Sequence, residues 1–223
     1  MYTVTIEALD GPAIRTTTHA GQTYVGGTLG QRYQIKVHQG AGRGGQSSRF
    51  LAVCTVDGRN VLDAKPGSID GQGLVITYSG AFDGWRTSME YVAAFRITSP
   101  AESYASGKGD VSNVGVIGVA IFEEKRAVRP PPVRRLCSTP AVMRGATRGI
   151  ASPRPASAGT GFGESHTSRV TTTTFDRQAK AAETIEIRYD TIEALIEAGI
   201  LQPPGPSAFP ADAKPVDFCT PPE

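Results

Sequence analysis

The sequence predicts an all-β fold: an antiparallel β-sandwich or jelly roll with one short C-terminal helix and extended Pro/Arg-rich arms. Three observations carry this expectation. Apolar residues alternate with period two through most of the first 125 positions, Gly, Asp and Asn turn signals separate the runs, and no convincing helical pattern interrupts them.

Taken in order, "YTVTIEAL" alternates as a half-buried strand should, and "RYQIKVHQ" does the same. "RFLAVCTV" follows a glycine-rich stretch. Asp57-Gly58 then separates it from "DGRNVL" with a strong two-residue turn signal. "GLVITYSG" is a further β-rich run. "EYVAAFRITS" sets Tyr91, Ala93, Phe95 and Ile97 against Glu90, Ala94, Arg96 and Thr98. "NVGVIGVAIFEE" is almost continuously apolar, as in a central strand covered on both faces. Seven or eight short strands thus define a core domain over residues 1–125.

Composition changes at Arg126. Residues 126–158 hold seven arginines, six prolines and no acid, too little apolar surface to offset the entropy of ordering, so they read as an extended arm or linker. Over residues 159–201 two strands are expected, Thr171, Thr173 and Phe175 in one and Ile185, Ile187 and Tyr189 in the other, packing on the core or on a neighbour. A short helix follows, with Asp190 as its cap, Glu193 as capping-box partner and Gly199 as its stop. Residues 202–223 form a second proline-rich arm.

The 16 prolines and 26 glycines beside a hydrophobic share of 39% fit a folded body with appendages that do not pack alone. No apolar run approaches a membrane span, and the N-terminus lacks a signal-peptide pattern, so synthesis in a cytoplasm is expected. Three scattered histidines and three cysteines without C-x-x-C spacing point to no metal site. Cys54 reads as a buried thiol. Cys137 and Cys219 lie in proline-rich sequence and are either a disulfide or two free thiols.

Residues 40–47 have P-loop glycine spacing, but Gln46 replaces the lysine and a strand, not a helix, follows. A turn with Arg43 at its tip is the better reading. "GTGFGES" lacks the strand and helix of a cofactor loop, and reads as an irregular connection anchored by Phe162. Ser165, His166 and Asp176 supply triad residue types without a nucleophile elbow. Glu123 and Glu124, adjacent in a strand, point to opposite faces and cannot act on one bond. No catalytic residue and no cofactor is expected.

Partner contacts fall to the arginines and to one aromatic. Arg129, Arg134, Arg135, Arg144, Arg148 and Arg154 suit phosphate or carboxylate contacts, and the seven arginines of the segment leave the rest of the chain at a formal −5 against +2 overall. Trp85 and Arg86 at a turn either contact a partner or sugar, or plug the sandwich while Arg86 pairs with an acid.

At "CTVDGRNVL", "GWRTSMEYVAAFRIT", "SYASGKGDVSNVGVIGVAIFEE", "GTGFGE" and "IEIRYDTIEALIEAGI" the chain resembles a family of uncharacterised proteins encoded by bacteria and their tailed phages. The shared pattern is V-D-G, G-W-R, A-x-F, G-V-I-G-V-A-I-F and G-T-G-x-G-E, across most of residues 30–200. The resemblance implies a β-sandwich and no catalytic residues. The expectation is a non-enzymatic structural virion protein, a capsid decoration, head-fibre or similar accessory component assembled in the host cytoplasm. Its partners would be other structural subunits, in a homo-oligomer or capsid lattice, with nucleic acid a lesser option through the Arg-rich arm and no membrane. A carbohydrate- or surface-binding module using Trp85 and Tyr104 is the alternative.

Overall fold

Where the sequence alternates, strands form. The computed structural model describes residues 1–40, 49–125 and 155–203, and these build an all-β sandwich of two sheets. The first sheet runs β1 (Tyr2–Ala8), β4 (Arg32–Gln39), β10 (Tyr91–Thr98) and β12 (Gly159–Thr167). The second runs β2 (Arg15–His19), β3 (Gln22–Gly27), β13 (Glu183–Thr191), β11 (Val116–Glu123), β5 (Phe50–Val56) and β6 (Arg59–Asn60), with β7 (Leu74–Ile76) also on β5. Every named pairing is antiparallel except β3 with β13, where Thr23 lies beside Ile187 and Gly27 beside Thr191.

Period-two alternation places the core. On β4, Tyr33, Ile35 and Val37 are buried while Arg32, Gln34, Lys36 and His38 lie between them. They meet Phe95 and Ile97 of β10 and, from the other sheet, Phe50, Ile117, Ile121 and Ile187. Side chains of this size contribute about 1.5–3 kcal/mol each when fully buried. The continuous apolar run of β11 has the expected cause. Ile117, Val119 and Ile121 face the core, while Ala120 and Phe122 form a second cluster with Val53, against which Leu51 and Ala181 pack. The Arg177 guanidinium lies 4.4 Å from the Phe122 ring centre.

"GLVITYSG" is not one strand. It divides into β7 in the second sheet and β8 (Ser79–Phe82) in the first. β8 pairs with β4 along Ile35–His38, and after Asp83 the chain continues as β9 (Gly84–Arg86) along β10. The two short strands therefore fill the fork where β4 and β10 part. At Gly84 a Cβ would lie 2.2 Å from the Ala93 carbonyl oxygen, so only glycine fits that approach.

Three expectations about residues 159–201 are corrected. The strand is β12, "GTGFGESHT", and residues 168–176 lie outside any strand. β-branched composition favoured Thr171–Thr173, but pairing with β10 selects the glycines, because a Cβ at Gly163 would meet the Ala94 carbonyl oxygen at 2.7 Å. Phe162 is not a buried anchor: it is 53% exposed, with its ring 5.5 Å from that of Tyr104. The helix α2 (Ile192–Glu197) is capped by Thr191, whose hydroxyl accepts the Ala194 N–H, so Asp190 is not the cap and Glu193 completes no capping box. Gly199, at φ +68°, does end it in the left-handed conformation. A one-turn helix α1 (Tyr104–Gly107), capped by Ser103, also interrupts the β-rich region.

Candidate functional site

The most conspicuous buried polar group sits at the Asp57-Gly58 turn. Both residues have positive φ, 51° and 74°, as a tight hairpin between β5 and β6 requires. The Asp57 side chain then turns inward and is 0% exposed. Its carboxylate accepts the Gly115 N–H at 2.9 Å, the Thr160 N–H at 2.7 Å and the Tyr189 hydroxyl at 2.6 Å. The Thr160 hydroxyl links the Tyr189 and Tyr33 hydroxyls at 2.6 and 2.7 Å. Desolvation raises the Asp57 pKa to about 6 despite these donors, and burial pushes both tyrosines up. The network ties the turn to β11, β12 and β13. With no solvent-facing member, it serves to hold strands together and offers no substrate access.

Trp85 is buried at 2% exposure, so the sandwich-plug reading holds and an exposed aromatic platform at this residue does not. Its indole N–H donates to the Gly161 carbonyl at 3.2 Å. Its ring meets Phe95 edge-on at 5.5 Å and Tyr104 at 4.8 Å. Arg86, next in β9, points differently and forms no ion pair with an acid among the described residues. It donates to the carbonyl oxygens of Ser88 and Ser168 and to the Ser168 hydroxyl, while its buried Nε has no partner among the described residues. Burial lowers the pKa of this guanidinium, with Asp83 opposing the shift.

Arg86 leads to a surface groove of about 970 Å³. One side is β7 and the residues just before it; another is the turn after β9, with Thr87, Ser88 and Met89. The chain leaving β12, residues 169–173, supplies Arg169 and three threonine hydroxyls. Leu51, Leu62, Leu74, Val75, Met89 and Val170 are its apolar lining. Two arginines and no carboxylate line it, so it suits an anionic, partly apolar ligand. Sequence reasoning found Arg86 but missed Arg169, which approaches β7 only through the pairing of β12 with β10.

Ser165, His166 and Asp176 are not brought together. His166 Nε2 lies 3.2 Å from Asp83 Oδ2, whereas Asp176 pairs with Lys125 at 2.9 Å. Asp83 also accepts the Ser168 hydroxyl at 3.1 Å, so an acid, not the histidine, stands at the centre of that cluster. A hydroxyl joined to an acid rather than to an imidazole base is not activated as a nucleophile. Cys54 is a free, buried thiol whose pKa burial raises. Among the described residues no three His, Cys, Asp or Glu side chains gather as a metal site, and no helix is long and apolar enough to cross a membrane. Most of the P-loop-like stretch, the arginines from Arg129 to Arg154, and Cys137 and Cys219 lie outside the described residues. No protein-family model, curated protein or solved structure matches the chain.

Proposed function

We propose that the protein is a non-enzymatic structural component that binds neighbouring subunits through its Arg/Pro-rich segments, as a capsid-decoration or head-fibre-like accessory protein of a virion. The observation that carries this reading is the division of charge along the chain. Residues 126–158 hold seven arginines and no acid, while the remainder is at a formal −5. A basic segment and an acidic body in one chain are complementary between copies. The virion setting rests on the resemblance to phage-encoded proteins.

Chain length supports the same reading. Lys125 is held by Asp176 just past the end of β11, and Ser157 is held by Asp190 beyond its other end. These anchors are separated by about ten strand residues, roughly 33 Å. The intervening segment, residues 126–154, would reach about 100 Å if fully extended, so it exceeds what the connection needs. The buried Trp85 weakens the carbohydrate-binding alternative by removing its best ring.

The test is light scattering after size exclusion on the full chain and on a variant with residues 126–154 replaced by a Gly/Ser linker. About 14 residues suffice for the linker, since fully extended they reach about 48 Å against the roughly 33 Å between the anchors. Defined oligomers that the replacement reduces to monomers are expected. Oligomers that persist unchanged would reject the clamp. Nucleic acid co-eluting with the wild-type chain, and lost with the arginines, would redirect the segment to phosphate contacts.

A further inference from the structure

The groove beside Arg86 and Arg169 has β7 along one side. Among the described residues β7 pairs only with β5, and Leu74 and Val75 of β7 line the groove. Residues 171–173, also at the groove, are exposed and make no backbone hydrogen bond to another described residue. Exposed edges of this kind recruit an extended segment through main-chain hydrogen bonds, with side-chain pockets setting the choice.

The side chains narrow that choice. Leu51, Leu62 and Leu74 line the groove with apolar surface. Arg169 is exposed and has neither a hydrogen bond nor an ion pair with any described residue, and Arg86 Nε is buried without a partner. A matching segment carries apolar side chains at alternate positions with an acid between them, and no proline that would remove a ladder N–H. The basic stretch 126–158 fails on charge. Residues 216–220, Val-Asp-Phe-Cys-Thr, meet every requirement and are the longest proline-free run within 204–223.

We propose that residues 216–220 of a neighbouring copy add as a strand in this groove. Val216 and Phe218 would lie on the leucines, and Asp217 would reach Arg169 at the rim. This rests on the assembly reading above and names a contact for it. The source is a neighbour because of where the tail begins. Gln202 is held by Arg15 on β2, the edge of the second sheet farthest from β7, five strand spacings or roughly 24 Å away. Twelve residues, 204–215, with four prolines would reach about 37 Å as polyproline II, a sequence that suits reaching outward over bending around its own sheet.

The experiment measures self-association of the full chain by sedimentation equilibrium for the wild type, Arg169→Glu, Asp217→Arg and the double charge swap. Each single variant is expected to weaken association by about tenfold or more, and the swap to recover most of it. Association unchanged in both single variants overturns the groove contact while leaving the Arg-segment clamp standing. A loss that the swap does not recover overturns the Arg169–Asp217 pairing. A monomeric wild-type chain overturns this contact and the assembly reading together.

Discussion

Asp57 shows how one residue can be legible in part. Its place in a tight turn is written in the dipeptide Asp57-Gly58, but its burial is not, because its partners Gly115, Thr160 and Tyr189 stand far along the chain. The sign of its titration follows from desolvation. With a folded pKa of about 6 and an ordinary value of 3.8, the folded state keeps a proton that the unfolded chain has lost between those limits. Stability contributed at Asp57 therefore falls as pH rises from about 4 to 6, by roughly 2–3 kcal/mol. Glu164 acts in the opposite sense: its own backbone N–H and Arg96 hold its carboxyl at about 2, so its contribution is lost as pH falls below the usual glutamate range. Asp57→Asn removes the first effect and sets an amide N–H₂ against a backbone donor, costing about 1–3 kcal/mol. Urea midpoints of both proteins from pH 4 to 6.5 should show the wild-type advantage shrinking with pH. A constant difference would mean that Asp57 does not titrate there. Trp85 was partly legible in the same way: a lone large aromatic is usually buried, but the turn away from acids taken by Arg86 depends on Ser168, which sequence alone does not place.

At the scale of elements, alternation located β1, β4, β5 and β10, which each set one face on the core, and the continuous apolar run located β11, which is covered on both faces. It failed at β12, where three glycines gave no pattern, and at residues 171–175, where β-branched side chains suggested a strand that no neighbour pairs. Intrinsic preference was overridden by the close approach of β10. The helix α2 was legible in its apolar face and its glycine stop, and shifted by one residue at its start. Asp190 is drawn away by the N–H groups of Ser157 and Thr191, which leaves capping to Thr191. Thr191→Ala should destabilise the protein by about 1 kcal/mol and Thr191→Ser by much less, read from guanidinium unfolding midpoints. Equal loss in both variants would show that the methyl group, not the hydroxyl, matters.

For the whole molecule, the fold class was legible and the strand order was not. Period and turn signals identify strands, but nothing local reveals that β13 lies between β3 and β11, or that it runs parallel to β3. The groove was equally hidden, since its walls come from both sheets. The consequence for stability is direct. A fragment of residues 1–125 lacks β12, and the second sheet would be split between β3 and β11. Such a fragment should show no cooperative thermal transition and little near-ultraviolet dichroism. A sharp transition from the fragment alone would mean that the first 125 residues complete a core without either later strand.

The position of β13 also bears on how the polypeptide is made. Thr23 cannot meet its partner until Ile187 has been synthesised. Translation at about 5–20 residues per second needs roughly 3–14 s to advance from the end of β11 to the end of β13. Throughout that interval the residues of β3 and β11 are present without the strand that lies between them. Closure is therefore a late event, and this interval is when a chaperone, or the wrong strand from a neighbouring nascent chain, has its opportunity.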